Sequence, residues 1–512
     1  MIKAARIFFI IGMVCTLLSA GLGYQPAFAR GDYTWSPDAR VPGYLDDTFT
    51  PFLLADQNRT VHAFASQWVE INGRRLAIVY RQWTLMGGWT RPVDIILSPT
   101  GGDANFMSAY MDSSDTIHLI FMATEALTRK SSVYYSSAPA ASAAFPPAWS
   151  PPVIAAENAL DLNSGAITGD GQGNLIIIYS GNRDGSGVYS VQSKDTGREW
   201  SEPLPVYLTY DSTLTPFSLH LTAGPDKRIS AVWNVVTNLG VDEVLYFASF
   251  DSQKDAWKLP VELDRRLDLP EYFGPSFPVI VDNGKELVVV YNGGNPFTGR
   301  PVGAGRPIQR ARISLNGGLT WNEPLDPFPF HVGRSGEHAL VLDGEGIPHT
   351  LFTQRIESTD EKGNYSIIGG IWHSTFQNGG WTNPDRFIST VPPHDVRSIV
   401  VQGNVLLVVW RQDPGGGQNG VWYSYTGLDE PELPVVPLAT DPASYFSAQQ
   451  TATTTPVITT LVPTPRPELL DEAPPSHLGE NPALPIIIGA VPVALILLGV
   501  VLGYRFLNNH RE

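Results

Sequence analysis

Seven apolar, β-rich segments recur along the chain, closing on aromatic residues at Phe64, Phe121, Tyr179, Trp233, Tyr291, Phe352 and Trp410. The steps between them are 57, 58, 54, 58, 61 and 58 residues, so one supersecondary unit repeats through the middle of the chain. A second marker keeps the same phase. Each of the first six units ends in Trp followed shortly by Pro, at Trp89, Trp149, Trp200, Trp257, Trp321 and Trp381. The seventh lacks that ending, whereas Trp35-Ser36-Pro37 stands alone ahead of the first unit. Joining the two predicts that the segment around Trp35 supplies the outer strand of the last unit, which closes a ring and removes a free sheet edge. Units of this length suit four-stranded blades, and 48 Gly with 43 Pro exclude a helical solenoid. The expectation is an all-β chain: a β-propeller of four-stranded blades over residues 30–430, with seven blades, or six and an N-terminal extension as the alternative.

The two ends read differently. Lys3 and Arg6 precede an apolar run from Ile7 to Leu22, and Ala27-Phe28-Ala29 gives a small-x-small pattern. This predicts a signal peptide over 1–29, with a retained N-terminal helix as the alternative. The only cysteine, Cys15, lies inside that segment, so the mature chain has no disulfide and no thiol chemistry. Residues 431–482 are rich in Pro and Thr and read as an extracellular stalk. Leu484 to Tyr504 carries no charge and matches the thickness of a bilayer. A transmembrane helix is therefore expected over 483–505, with a short cytoplasmic tail over 506–512, since Arg505 and Arg511 follow it and Glu468, Asp471, Glu472 and Glu480 precede it. A net charge of −16 argues against nucleic acid as a partner. These features predict a single-pass cell-membrane protein with an extracellular N-terminal domain.

Two units carry the pattern S-x-D-x-G-x-x-W: Ser193, Asp195, Gly197 and Trp200, then Ser314, Asn316, Gly318 and Trp321 with Asn for Asp. Decayed copies run from Ser249 to Trp257 and from Ser374 to Trp381. The chain thus resembles the BNR/Asp-box repeat propellers of the sialidase (neuraminidase)-like superfamily. The resemblance implies that these residues hold hairpins together on the face opposite to the ligand site. Locally, the Asp or Asn is expected to accept backbone hydrogen bonds, the Gly to take a positive φ, and the Trp to pack between blades.

In a propeller the ligand face is built by loops that lead into the innermost strands and leave the second strands. Those leading inward carry Asp46 and Asp47, Asp103, Asp161, Asp211, Glu271 with Tyr272, Arg334 with Glu337, and Asp395 with Arg397. Those leaving the second strands add Arg183, Arg355 and Arg411. A sialidase-type site needs arginines on a sugar carboxylate, a Tyr/Glu pair as nucleophile and an Asp as acid/base. Asp46, Asp47, Glu271 and Tyr272 are the candidate catalytic residues, and Arg334, Arg397, Arg183, Arg355 and Arg411 the candidate ligand-binding ones. Arg40-Val41-Pro42 is similar to the family's Arg-Ile-Pro signature, but Ala39 precedes it where an aromatic is usual, and its phase places Arg40 on an outer strand. No H-E-x-x-H, H-x-H or contiguous calcium loop occurs, so neither a metal nor a cofactor is expected. His62 and His118 fall in strands and are expected to be packed there. With the catalytic set incomplete, two readings stand. The first is binding of an extracellular glycan or protein ligand without catalysis, and the second is glycoside hydrolysis.

Overall fold

The computed structural model describes residues 33–438, apart from 72, 126–127, 161–163, 172, 270–271, 295–305, 334–335, 360–364 and 389–392. The expected signal peptide, the stalk from residue 439 and the membrane span lie outside the described residues. Within them no helix is long and apolar enough to cross a membrane.

The described chain is all-β, a propeller-like arrangement of six hydrogen-bonded antiparallel sheets with two short 3-10 turns and no α-helix. One sheet has eight strands and comprises two consecutive units, joined where Ala159 pairs with Gly181. The innermost strands of the successive units are Phe52–Ala55, Ala104–Met111, Gly165–Gly169, Leu214–Ala223, Phe273–Asp282, Ala339–Leu342 and His394–Val401. Each packs on the next, and the last packs on the first.

The periodic apolar runs are the second strands. Leu175–Gly181 and Leu287–Gly294 are buried along their whole length. A strand covered on both faces by neighbouring sheets has no reason to alternate, so its sequence reads as a continuous run. Their terminal aromatics, Phe64, Phe121, Tyr179, Trp233, Tyr291, Phe352 and Trp410, are fully buried.

The last sheet takes its outer strand from the start of the described chain. Ala39 pairs with Tyr423 and Arg40 with Trp422. Ser36 N–H donates to the Tyr425 carbonyl and Val41 N–H to that of Val421, both at 2.8 Å. Trp35 stacks on Phe387 with centroids 3.7 Å apart.

Three of the hairpins between first and second strands share an internal brace. Asp56 Oδ1 accepts the Asn58 and Thr60 N–H groups, while Oδ2 lies 3.1 Å from His62 Nε2. His62 Nδ1 in turn lies 2.7 Å from the Tyr80 hydroxyl. Asp112, His118 and Tyr135 repeat the arrangement, as do Asp343 and His349 with His373 in place of the tyrosine. Burial would raise the Asp112 carboxyl, but the bonds from His118 and the Thr116 and Ser114 groups outweigh it and hold it at about 2. His62 and His118 are thus packed in strands and also tie the turn to the third strand.

The Asp-boxes sit on this same side. Ser193 Oγ donates to Asp195 Oδ1 at 2.8 Å and accepts the Gly197 N–H, while Asp195 Oδ1 also accepts the Arg198 and Glu199 N–H groups. Ser314, Asn316 and Gly318 repeat the cage, with Thr320 N–H on Asn316 Oδ1. Gly197 has φ +88°, and a Cβ there would lie 2.2 Å from the Tyr135 ring; at Gly318 the obstacle is Phe247 at 2.3 Å. The boxes therefore dock on an aromatic of the preceding unit, and Trp200 and Trp321 meet the same rings edge-on.

After the last strand, Gly420–Gly427, the chain crosses this side. Leu428, Leu433 and Val436 N–H groups donate to the carbonyls of Asn404, Gln402 and Gln57, and Leu438 packs against the core between the first two units. Residues 431–438, the head of the expected stalk, thus lie along the propeller. Beneath them is a cavity of about 450 Å³ lined by Asp56, Arg59, Asp343, Gln402, Leu433 and Val436.

Candidate functional site

On the opposite side, the loops leading inward meet those leaving the second strands, and their charged groups form one connected network over the last two units and the first. Arg397 donates through Nε and Nη2 to Glu337 Oε2, at 2.7 and 2.5 Å. Asp395 Oδ1 accepts the Glu337 N–H at 3.3 Å, and its Oδ2 lies 2.8 Å from His394 Nδ1. His394 Nε2 is 3.4 Å from Asp413 Oδ2. Asp413 receives Arg411 through Nε and Nη2, while Arg411 also donates to the carbonyls of Thr48 and Asp46. The Asp46 carboxylate accepts Arg40 Nη2 at 2.6 Å.

Local backbone explains how these groups converge. The innermost strand His394–Val401 bulges between His394 and Arg397, and Asp395 there has φ +54°. A bulge with a left-handed residue re-aims side chains out of strict alternation. Gly336 (φ +65°) lies so close that a Cβ would stand 2.6 Å from Asp395 Oδ1. The same device recurs at Ser218 (φ +49°) and Phe277 (φ +51°), each inside an irregularity of its innermost strand. There it brings Phe217 and Phe277 together, half-buried, with centroids 6.2 Å apart.

The electrostatics follow from these contacts. The Asp395 bond raises His394 above the usual 6.5, burial opposing it. Burial would raise Asp395, but His394 holds it below the usual carboxylate range. Burial, then the Arg397 guanidinium and His338, push His220 down to about 4. Burial also lowers His338 to about 4 against its bond to the Val290 carbonyl.

The candidate residues fall as follows. Asp46 belongs to this network. Asp47 accepts Arg74 at 2.9 Å, and Arg74 lies over Trp68. The Tyr272 hydroxyl accepts Arg310 Nη1 at 2.8 Å, the same nitrogen that holds Asp264 at 2.7 Å; burial raises Tyr272. Arg183 holds Glu202 and Arg355 holds Glu357, each in a different unit. Arg397 and Arg411 come together on adjacent strands. Glu271 and Arg334 lie outside the described residues. His394, Asp413, Arg310 and Asp264 are the participants that the sequence reading passed over. Of these, His394 stands next to Asp395 in the chain, the one signal that points to it. Among the described residues no group of His, Cys, Asp and Glu is placed to hold a metal ion.

The class that this fold defines is an all-β, propeller-like arrangement with hairpins built on the S-x-D-x-G-x-x-W pattern. Among solved structures the chain is similar to a polysaccharide lyase described as an ulvan lyase, at 13% identity and TM-score 0.49 over 80% of this chain and 99% of that one. It is similar also to a Penicillium chrysogenum α-L-arabinanase complexed with arabinobiose (13%, 0.43, covering 78% and 99%). A third is the intramolecular trans-sialidase from Ruminococcus gnavus (13%, 0.38, covering 79% and 98%). No protein-family model and no curated protein matches the chain. At these values the likenesses say nothing about the ligand of this chain.

Proposed function

We propose that the protein is a surface-displayed, seven-bladed propeller whose loop side binds an extracellular glycan without cleaving it. The observation that carries this reading is the network from Arg397 through Glu337, Asp395, His394 and Asp413 to Arg411. Its groups come from separate units and remain open to solvent, with His394 43% and Glu337 45% exposed. Such a rigid array of donors and acceptors on loops suits a polyhydroxylated ligand. Binding is favoured over turnover because Arg183, Arg355, Arg397 and Arg411 each hold their own carboxylate, and Tyr272 faces Arg310. The seven-blade count is supported by the seven innermost strands in circular contact, the eight-stranded sheet counting as two blades. Export and anchoring through residues 483–505 are proposed from the sequence alone.

Glycoside hydrolysis is the second reading, favoured by one feature: Asp395 and Asp413 flank His394, with Glu337 on the same side, which offers acid and base groups. A glycan array probed with the purified full chain tests the first reading, and it expects saturable retention that Arg397→Ala removes. Incubating each retained glycan with the protein and assaying new reducing ends tests the second. Release of sugar that Asp395→Asn abolishes would replace the binding reading with the hydrolytic one.

A further inference from the structure

We infer that the sugars held by the loop side are neutral ones, carrying neither carboxylate nor sulfate. This rests on the reading of that side as a glycan-binding face, and goes beyond it by naming the ligand's chemistry.

The first ground is how the network's cations are engaged. Arg397 gives two N–H groups to Glu337. Arg411 chelates Asp413 and spends further N–H groups on the Thr48 and Asp46 carbonyls. Arg40 is divided between Asp46 and the Asn419 carbonyl. Against these three guanidiniums stand four carboxylates, Glu337, Asp395, Asp413 and Asp46, with His394 between two of them. A ligand carboxylate would have to displace an internal one from its arginine and leave it beside another anion. Breaking one partner out of a half-buried, hydrogen-bonded pair is unfavourable, and like charges in proximity add to the cost.

The second ground is what remains available. Ionised carboxylates only accept hydrogen bonds, each oxygen having more than one lone pair. The outer lone pairs of Glu337 and Asp413 therefore suit sugar hydroxyl donors, and charge-assisted bonds of this kind are the stronger ones. Phe217 and Phe277 add apolar ring surface at innermost strands of the same side. Like His394 and Arg397, both stand at an irregularity of their innermost strand. Apolar C–H faces of a sugar pack on such rings, and hydroxyls at its rim reach the carboxylates.

The experiment compares retention of the full-length protein on neutral polysaccharides (arabinan, galactan and mannan) and acidic ones (polygalacturonate, alginate and chondroitin sulfate), at 0.15 and 1 M NaCl. The expected result is retention on at least one neutral polymer, little changed by salt, with every acidic polymer at least tenfold weaker. Glu337→Gln, which releases Arg397 while keeping side-chain shape, should narrow that gap at least threefold, with an unchanged melting curve confirming the fold. Acidic polymers bound as tightly as neutral ones, in a salt-sensitive way, would overturn the inference and leave the glycan reading standing. Retention on neither class would overturn both.

Discussion

Gly197 separates scaffold from site at the level of single atoms. Its positive φ and its contact with the Tyr135 ring mean that a methyl group is resisted twice. Gly197→Ala should therefore lower unfolding free energy by about 3 kcal/mol, adding left-handed backbone cost to overpacking. Trp200→Ala and Trp321→Ala remove rings docked on the preceding unit and should cost about 3–5 kcal/mol. Denaturant titration measures both, and affinity of the folded fraction for any retained glycan should stay normal. Arg397→Ala should do the reverse. If the tryptophan changes abolish binding in fully folded protein while the arginine change spares it, the two sides have been assigned the wrong way round.

His394 provides a second residue-scale check. Its raised pKa means that its contribution to stability is complete below its unfolded value and is lost as pH rises through the folded one. Asp395 is depressed, so its contribution is present above its unfolded value and is lost as pH falls through the folded one. The pair is thus strongest in the mildly acidic window between them. An NMR titration should place the His394 ring above 6.5, and Asp395→Asn should bring it down. A wild-type ring titrating at or below 6.5 would contradict the contact. The half-buried His220 and the buried His338 carry the opposite sign, since both are pushed down to about 4. Each should cost the fold up to about 1.4 kcal/mol per pH unit as the solution is acidified from 6.5 towards 4.

At the scale of elements, ring closure depends on a very short strand. Ala39–Arg40 is only two residues long, yet flanking bonds from Ser36 and Val41 and the stacked Trp35 extend its hold on Gly420–Gly427. Deleting residues 30–42 should expose the outer edge of that sheet and lower the melting temperature sharply, although the remaining units are intact. An unchanged melting curve would show that this segment is dispensable. Much at this scale was legible beforehand, because a strand buried on both faces, such as Leu287–Gly294, must be written as an apolar run. The unmatched Trp35 betrayed closure for a similar reason, since each unit needs one such ring. The brace of Asp56, His62 and Tyr80 was only half visible. The Asp and His recur six apart at Asp112 with His118 and at Asp343 with His349, but the third partner lies on another strand. The candidate site was less legible still. Glu337 and Arg397 stand 60 residues apart and Arg411 bonds to a carbonyl 363 residues away, so only the fold joins them. Reading loops singly placed Arg183 and Arg355 on an equal footing with Arg397, although each answers to its own carboxylate.

For the whole molecule, the question is where the propeller ends and what the following chain does. The repeat stops at Gly427, yet the backbone continues across the Asp-box side, bonded at Leu428, Leu433 and Val436, with Arg59 paired to Glu432 and Leu438 half-buried against the core. A Cβ at Gly403 would stand 2.7 Å from the Leu433 side chain, a measure of how closely this strap is seated. It bridges the last unit to the first, parallel in role to the closing strand at the outer edge. Truncation after residue 438 should therefore melt like the longer chain, whereas truncation after 427 removes the strap, opens the cavity beside Asp56 and Asp343, and should melt several degrees lower. Both forms lack residues 483–505, so both should appear in the medium rather than in washed membranes if that stretch is the anchor. Retention of the 438 form in membranes would identify another anchor, with an uncleaved N-terminal segment the first to examine. Equal melting of the two forms would mean that the strap rests on the ring without helping to close it, and that the pairing of Ala39–Arg40 with the last strand carries closure alone.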